Sequence, residues 1–356
     1  MPNTNLNENP RALIIKPSSF GDVIHALPVA RAIKLAAPHV KVDWVISDSL
    51  TDLVAMSPYV DTFIPFKRAR WTKWWRPSVL ADIVAQVREA RKKEYGAVID
   101  LQGLLRSGLM TLACRAKVKV GFSTAREGAW LFYNDNIPVT PEAVHAVDRY
   151  MSALKALGIE NNAGVKYDLV ESEEDKAWAE SDLPTEPFVA INPNARWAAK
   201  RWPLARFGHL CRELQKKMGY RIVIIGGLDD MADGARLALL AGDWARDLTG
   251  KTSPGRLAAL LRRAKALFTN DSGPLHLAVA VGTPSVSFFG PTDPAKTGPY
   301  GPGHIVLRSG RECSPCFKKT CPYNHECMAD IQVSTAVEAW KAQSFKEGKT
   351  GGRVAI

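Results

Sequence analysis

Short apolar segments alternate with longer amphipathic segments along both halves of the chain. Apolar runs that end at Gly, Ser, Asn or Asp are typical of buried parallel strands, and apolar positions three and four residues apart indicate helices. The predicted strands lie at 12–16, 42–46, 62–66, 97–101, 188–191, 221–225, near 245–248, 266–270 and 285–290. The predicted helices lie at 22–36, 49–56, 78–94, 145–159, 204–218, 231–241, 254–264 and 274–281. This alternation predicts an α/β protein with parallel sheets covered on both faces.

The alternation is interrupted by a polar stretch at 160–187 that is rich in Asn, Glu, Asp and Pro. A chain of 356 residues exceeds what one hydrophobic core usually holds. We therefore predict two Rossmann-like domains, at 1–170 and 180–335, joined by this linker and followed by a C-terminal helix and tail at 336–356. Ligands of such sheets bind at the carboxyl ends of the strands, so a cleft between the domains is the expected place for a site.

The loop after the first predicted strand carries a candidate anion-binding site and a candidate catalytic acid. Residues 13–28, LIIKPSSFGDVIHALP, combine a strand, a tight Pro/Ser/Gly loop and a helix start. This layout directs backbone N–H groups toward a phosphate or a carboxylate. The chain contains neither the GxGxxG dinucleotide fingerprint nor the GxxxxGK[ST] phosphate loop. The loop instead offers one acid, Asp22, at the sheet edge where open α/β proteins place their chemistry.

Three loops of the second half follow strands of one predicted sheet and are expected to converge on one ligand. Their candidate residues are Asn194, Arg196 and Lys200, then Gly226, Gly227 and Asp229, then Asp271, Ser272, Gly273 and His276. Ser272 is placed to cap the next helix, whose free N–H groups can hold a phosphate. Lys200 and Arg196 can add charge-assisted hydrogen bonds to a diphosphate. Carboxylates such as Asp229 and Asp271 suit the hydroxyls of a sugar or ribose. Taken singly, these residues also fit a plain helix cap and a buried core histidine.

The chain has a net charge of +11, and five basic residues and three tryptophans lie together at 67–76, KRARWTKWWR. Such a mixture suits an anionic membrane surface or a sugar–phosphate acceptor, can stack on single-stranded nucleic acid, or forms a solvated loop. No nucleic-acid-binding motif supports the RNA or DNA alternative, so we expect no nucleic acid partner.

No apolar run approaches the ~20 residues of a membrane span, and the polar N-terminus lacks a signal core, which predicts a cytoplasmic protein.

Four of the six cysteines form a C-x2-C-x4-C-x5-C pattern that encloses His325: Cys313, Cys316, Cys321 and Cys327. A cytoplasmic location favours metal over disulfide, but the spacing is not that of a zinc ribbon. A structural metal, packed reduced thiols and a redox or disulfide role all stay open, and we predict no metal at the active site. Cys114 and Cys211 lie in apolar helical surroundings and are predicted to be core residues.

Together these segments resemble glycosyltransferase family 9, the bacterial lipopolysaccharide heptosyltransferases. The matching segments are KPSSFGDVIHALP (16–28), DLQGLLRSG (100–108), STAREGAWLFYN (123–134), HAVDRY (145–150), ARWAAKRWP (195–203), GGLDD (226–230), TNDSGPLHLAVAVGTP (269–284) and FFGPTDP (288–294). The resemblance covers nearly the whole chain. It implies a GT-B architecture, in which two Rossmann-like domains face a cleft, the first binding the acceptor and the second the nucleotide sugar.

The resemblance also implies an activity. It is the inverting transfer of heptose from ADP-heptose to the Kdo/heptose inner core of lipopolysaccharide. No metal or other cofactor is expected, and the chain contains no DxD pair. The acceptor, lipid A–Kdo, lies at the inner membrane surface, so the enzyme is expected to be peripheral on its cytoplasmic face.

By position, the resemblance implies Asp22 as the general base and Lys200 as the phosphate-binding lysine. The implied donor shell is Asp271, Ser272, Gly273 and His276, with Asp229 as a weaker match and Asn194 and Arg196 at the place of the family's phosphate-loop threonines. Arg106 and Arg126 fall where the family uses basic side chains toward the anionic acceptor. Further candidates for that contact, from the 67–76 segment, are Lys67, Arg68 and Arg70.

Three alternatives differ from this interpretation. A family 9 transferase with another nucleotide sugar or acceptor has the same loop pattern. A GT-B-like binding or regulatory protein without turnover is disfavoured because Asp22 and Lys200 are both present. A nucleotide-dependent oxidoreductase or epimerase is disfavoured because GxGxxG and a Tyr-x3-Lys pair next to a strand are absent.

Overall fold

The computed structural model describes residues 4–66, 88, 91–160, 162–324 and 326–349. The chain divides into two compact units, Met1–Val170 and Glu171–Ile356. Each unit is built on one six-stranded sheet, and every strand pair in both sheets is parallel. The prediction of an α/β protein with two Rossmann-like domains is therefore confirmed.

The first unit alternates strands and helices around its sheet. Its strands are β1 (Arg11–Ile15), β2 (Lys41–Ser47), β3 (Thr62–Phe66), β4 (Glu94–Asp100), β5 (Arg115–Phe122) and β6 (Asp135–Ile137). Its described helices are α1 (Thr4–Glu8), α2 (Phe20–Ala36), α3 (Thr51–Ala55), α4 (Leu105–Ala113) and α5 (Ala146–Ser152). The strand order is β3-β2-β1-β4-β5-β6. The order reverses between β1 and β4, and a crevice for ligands forms at such a switch point.

The second unit repeats this plan. Its strands are β7 (Phe188–Asn192), β8 (Arg221–Ile224), β9 (Ala245–Asp247), β10 (Leu267–Asn270), β11 (Ser285–Phe289) and β12 (His304–Arg308). Its helices are α6 (Glu173–Asp182), α7 (Leu204–Met218), α8 (Met231–Ala241), α9 (Pro254–Arg263), α10 (Gly273–Ala280), α11 (Pro294–Thr297), α12 (Glu326–Ala329) and α13 (Val333–Lys349). The strand order is β12-β11-β10-β7-β8-β9, which places the switch point between β7 and β10.

Several elements differ from the sequence prediction. Strands β5, β6 and β12 were not predicted; β5 reads RAKVKVGF, and its first residues are exposed or half-buried and lack an apolar run. Helix α6 lies inside the predicted linker at 160–187, where only Ala179 of the helix is buried, so its apolar stripe is too narrow to be recognised. The predicted helix at 78–94 falls mostly outside the described residues, and Glu94 begins β4.

The core of the second unit holds the loop after β7 in place. Trp202, which ends this loop, stacks on Phe288 with ring centres 4.1 Å apart and meets Phe207 edge-on at 4.9 Å. Helix α13 completes this core with Val337 and Trp340, so the C-terminal helix packs as part of the second unit. Among the helices of the described ranges, none is long and apolar enough to cross a bilayer.

The buried carboxylate of Asp100 organises the turn after β4. Its Oδ1 accepts hydrogen bonds from the N–H groups of Gln102 at 2.8 Å and Gly103 at 3.0 Å, and its Oδ2 accepts one from the Tyr133 hydroxyl at 2.7 Å. Burial raises the pKa of Asp100, and these hydrogen bonds only partly offset that rise. The Tyr133 ring lies over Gly121 of β5, where any Cβ would overlap it.

We expect Tyr133→Phe to lower the free energy of unfolding by about 1–3 kcal/mol, because it leaves a buried carboxylate short of one donor. Chemical denaturation would measure the change. Tyr323→Phe is the matched control, since Tyr323 is exposed and its loss of a hydroxyl should change stability by less than about 0.5 kcal/mol. Equal denaturation midpoints for the two variants would contradict the role given to the Tyr133 hydroxyl.

Candidate active site

Asp22 lies in the first turn of α2, beside the switch point of the first sheet. Its Oδ2 accepts hydrogen bonds from the Ser19 N–H at 3.1 Å and from the Ser19 hydroxyl at 2.7 Å. The carboxylate is therefore held at the helix N-terminus, where the helix dipole favours negative charge.

A buried lysine keeps this carboxylate ionised. Lys16, at the end of β1, is only 3% exposed, and its Nζ donates to the Leu101 carbonyl at 3.2 Å and lies 4.9 Å from the centre of the Tyr150 ring. Burial would raise the pKa of Asp22, but the Lys16 charge and the Ser19 hydrogen bonds outweigh it and lower this pKa to about 2. Burial would lower the pKa of Lys16, but Tyr150 and Asp22 raise it above its ordinary value. Asp22 is thus an anion at neutral pH and can accept a proton.

A small cavity of about 60 Å³ adjoins the loop that leads to Asp22. Its lining joins the loop after β1 to the turn after β4 and consists of Pro17, Ser18, Phe66, Gln102, Leu104, Arg106, Ser107 and Met110. Of the predicted acceptor-binding residues, Arg106 is half-buried in this lining. Arg126 is exposed, and its N–H donates to the Gly103 carbonyl at 2.9 Å. Lys67, Arg68 and Arg70 lie outside the described residues.

In the second unit, asparagines join the loops that follow β7 and β10. The Asn192 Nδ2 donates to the Ser272 hydroxyl at 2.8 Å and to the Thr269 hydroxyl at 3.1 Å. The Asn270 Oδ1 accepts from the Trp202 N–H at 2.9 Å. The prediction that the Ser272 side chain caps α10 is wrong, because this hydroxyl is engaged by Asn192. The N–H groups of the first turn of α10, which starts at Gly273, carry no side-chain cap and suit an anion.

A buried ion pair joins the same two loops. The Lys200 Nζ lies 2.6 Å from the Asp271 Oδ2, and the Thr292 hydroxyl donates to the same oxygen at 2.6 Å. The His276 Nε2 lies 4.0 Å from the Asp271 Oδ1. Asp271 is only 5% exposed, and Lys200 also lies 4.8 Å from the centre of the Trp197 ring. The sequence predicted both partners as donor-binding residues but did not predict that they pair.

The other predicted donor-binding residues differ in exposure. Asn194 is buried, and its Nδ2 has no hydrogen-bond partner in the described part of the chain. Arg196 and Asp229 are exposed. The loop after β8 is braced by Asp230, whose Oδ2 accepts from the Gly227 N–H at 2.9 Å, rather than by Asp229.

Sequence reasoning missed three polar residues of these loops. Lys16 and Asn192 stand where an apolar strand ends, and a polar residue at that point was the available signal. Thr292 reaches Asp271 across 21 positions of the chain, and no spacing rule connects the two. Its only signal was its place in the segment FFGPTDP.

All six cysteines are free thiols. Cys114 and Cys211 are buried, as predicted, and burial raises their pKa values to about 11 and about 12. Cys313 is exposed and Cys327 is buried; burial and the neighbouring cysteines raise the pKa of the Cys327 thiol. His325 lies outside the described residues, within which no three His, Cys, Asp or Glu side chains are grouped to hold a metal ion.

A glycosyltransferase family 9 (heptosyltransferase) model matches residues 83–326 of the chain. Lipopolysaccharide heptosyltransferase 1 of Pseudomonas aeruginosa is 32% identical over 322 residues, which cover 88% of each chain. Its counterpart from Escherichia coli K12 is 33% identical over 313 residues, which cover 85% of this chain and 94% of that one.

Solved structures agree with these matches. The E. coli heptosyltransferase WaaC with ADP is 28% identical and superposes with a TM-score of 0.78 over 94% of this chain and 99% of that one. A family 9 glycosyl transferase from Veillonella parvula is 26% identical, with a TM-score of 0.79 over 95% of this chain and 98% of that one. The family model spans most of the chain and includes the loops that carry Lys200 and Asp271. The chain therefore has the GT-B fold and belongs to glycosyltransferase family 9, the heptosyltransferases.

Proposed function

We propose that the protein transfers heptose from ADP-heptose to the Kdo/heptose inner core of lipopolysaccharide, with inversion at the anomeric carbon and Asp22 as the general base. Two relatives at 32% and 33% identity are named lipopolysaccharide heptosyltransferase 1. A similar structure at 28% identity, with a TM-score of 0.76, is E. coli WaaC with ADP-2-deoxy-2-fluoro heptose. The observation that carries the proposal is the ionised Asp22 carboxylate, fixed by Ser19 and Lys16 at the switch point of the first sheet.

In this mechanism the first unit binds the acceptor and the second binds the donor. The acceptor hydroxyl gives its proton to Asp22 while its oxygen attacks the anomeric carbon of heptose. The bond between heptose and the diphosphate breaks, and ADP leaves with the electron pair. For this step the Asp22 carboxylate has to come within about 2.6–3.2 Å of the attacking hydroxyl.

The loops of the second unit supply positive charge for the leaving ADP. Lys200, Arg196 and the uncapped N-terminus of α10 are the groups that would stabilise the developing diphosphate. Asp271 and the half-buried Lys200 hold each other in place, since a buried carboxylate without a partner is costly. We further propose that Asp271, Asp229 and His276 contact hydroxyls of the donor, and that Asn194 uses its unpartnered Nδ2 on a donor oxygen.

The basic segment at 67–76 is proposed to hold the enzyme on the anionic cytoplasmic leaflet, where lipid A–Kdo is presented. The support is the net charge of +11 and the grouping of five cations with three tryptophans in this segment. Lys67, Arg68 and Arg70 would then contact the acceptor together with Arg106 and Arg126.

Asp22→Asn should lower turnover by roughly 10²–10⁴-fold, because the amide cannot accept the proton. The affinity for ADP-heptose, measured by calorimetry, should not change, since the donor is bound by the second unit. Asp52→Asn is the control, because Asp52 is an exposed acid in the first turn of α3. Near-normal turnover of Asp22→Asn would remove Asp22 from the role of base.

Lys200→Ala should weaken ADP-heptose binding by about 10–100-fold, because a charge-assisted hydrogen bond to the diphosphate is lost. Calorimetric titration without metal measures this change, and Lys216→Ala, on the exposed side of α7, serves as the control. Unchanged affinity would mean that Lys200 serves Asp271 alone. A wild-type preference for UDP-glucose or GDP-mannose over ADP-heptose would contradict the proposed donor.

Binding to vesicles that contain anionic phospholipid should weaken with salt and with neutralisation of the basic segment, by about 1 kcal/mol for each cation at the surface. Co-sedimentation with vesicles measures the binding. The residues to be replaced by glutamine are Lys67, Arg68, Arg70, Lys73 and Arg76. The control removes the same charge from exposed residues of the second unit: Lys216, Lys217, Arg236, Lys318 and Lys319. Equal binding of both variants would refute the membrane role of the segment.

A further inference from the structure

We propose that the side-chain amide of Gln102 is a specificity-determining group, which hydrogen-bonds a hydroxyl on the edge of the acceptor sugar next to the reacting hydroxyl. This inference rests on the proposed function, because it needs the acceptor to bind the first unit beside Asp22. It adds a neutral contact to the basic residues that the family resemblance assigns to the acceptor.

The amide oxygen of Gln102 is buried and has no hydrogen-bond partner in the described ranges. A buried carbonyl oxygen without a partner is costly and rare in folded proteins, and a bound ligand is one way to satisfy it. Gln102 is one of the residues that line the cavity next to the Asp22 loop, so a ligand in the cavity lies beside its side chain.

The size and lining of the cavity limit what can enter. Its volume of about 60 Å³ exceeds the ~10–15 Å³ that one water molecule needs. A hydroxyl-bearing edge of a sugar can therefore enter it. Phe66, Leu104 and Met110 supply apolar walls. Arg106 adds a positive charge, and the Ser107 hydroxyl is already bonded to Leu104, so the Gln102 amide is the neutral group available to a hydroxyl.

The cavity adjoins the loop that leads to the proposed base. Pro17 and Ser18 line it, and Ser18 directly precedes Ser19, which donates two hydrogen bonds to the Asp22 carboxylate. On the sheet, Ile15 at the end of β1 is paired with Asp100 at the end of β4. A sugar whose edge occupies the cavity is therefore placed to present a neighbouring hydroxyl to Asp22.

The backbone of Gln102 is fixed without help from its side chain. Its N–H donates to Asp100, and the carbonyl of the next residue, Gly103, accepts from the Arg126 N–H. Gly103 adopts a φ of +64°, in the left-handed region that favours glycine, so the turn keeps one geometry. Gln102 therefore lines the cavity on a backbone whose shape does not depend on its side-chain amide.

The test is Gln102→Met, which keeps the length of the side chain and removes its polar atoms. With a Kdo-bearing saccharide as acceptor, kcat/KM for the acceptor should fall about 10-fold, the effect of one neutral hydrogen bond, while the KM for ADP-heptose stays the same. The unfolding temperature should stay the same or rise, because an unpartnered buried oxygen is gone. Gln215→Met, on α7 of the second unit, is the matched control and should change neither value.

Single-deoxy analogues of the acceptor complete the test. One analogue should lose about 10-fold in kcat/KM with the wild type and nothing further with Gln102→Met, which identifies the hydroxyl that the amide contacts. Equal acceptor kcat/KM for wild type and Gln102→Met would overturn the inference. A lower unfolding temperature of Gln102→Met would also overturn it, since the amide would then be structural.

Failure of the proposed function gives a different result. If the wild type transfers no heptose but binds the Kdo-bearing saccharide in calorimetry, and Gln102→Met weakens that binding, the contact stands and the transferase activity is refuted. If the wild type neither transfers heptose nor binds the saccharide, both proposals fall.

Discussion

The reversal of strand order in each sheet is the constraint on which the candidate loops of each unit depend. At β1 and β4 in the first unit, and at β7 and β10 in the second, the chain leaves neighbouring strands in opposite directions. The loops diverge there and leave room for a ligand without any loss of sheet hydrogen bonds. The register fixes what stands on either side, with Ile15 beside Asp100 and Asn192 beside Thr269. The residues of the loops can therefore change while the rigid strands keep the loops in the same positions.

The two units handle charge at their switch points in a related way. Each places a lysine after its first strand, Lys16 or Lys200, and an aspartate at or after its fourth, Asp100 or Asp271. In the second unit the pair is in direct contact. In the first unit Lys16 instead bonds to the carbonyl that follows Asp100 and lends its charge to Asp22. An unpaired buried ion costs several kcal/mol. The contacts of Lys16 and Lys200 therefore hold the loops in place and also give them positive charge.

The sequence predicted the strands and the site loops better than the side-chain contacts between the loops. Strands such as β7 and β10 are wholly buried and were recognised as apolar runs, whereas β5 exposes alternate basic residues and escaped notice. The site loops were predicted because each follows a recognised strand. Their pairings were not, because Thr292 with Asp271, or Asn192 with Ser272, meet only once the sheet has formed. The Ser272 hydroxyl, which the sequence indicated as a helix cap, accepts a hydrogen bond from Asn192 of the neighbouring strand instead. Propensity rules cover only residues that are close along the chain, so they do not include this contact.

The shape of the turn after β4 depends on Gly121, a residue outside that turn. It lies in β5, far in sequence from Asp22, and is not among the residues proposed to contact substrate. Yet the Tyr133 ring occupies the space of its missing side chain, and the Tyr133 hydroxyl bonds to Asp100, which in turn shapes the turn that carries Gln102 and leads into α4. This turn therefore keeps its shape only while position 121 has no side chain. A larger residue at position 121 would displace the Tyr133 ring and reshape the turn, although every residue of the turn itself stayed the same.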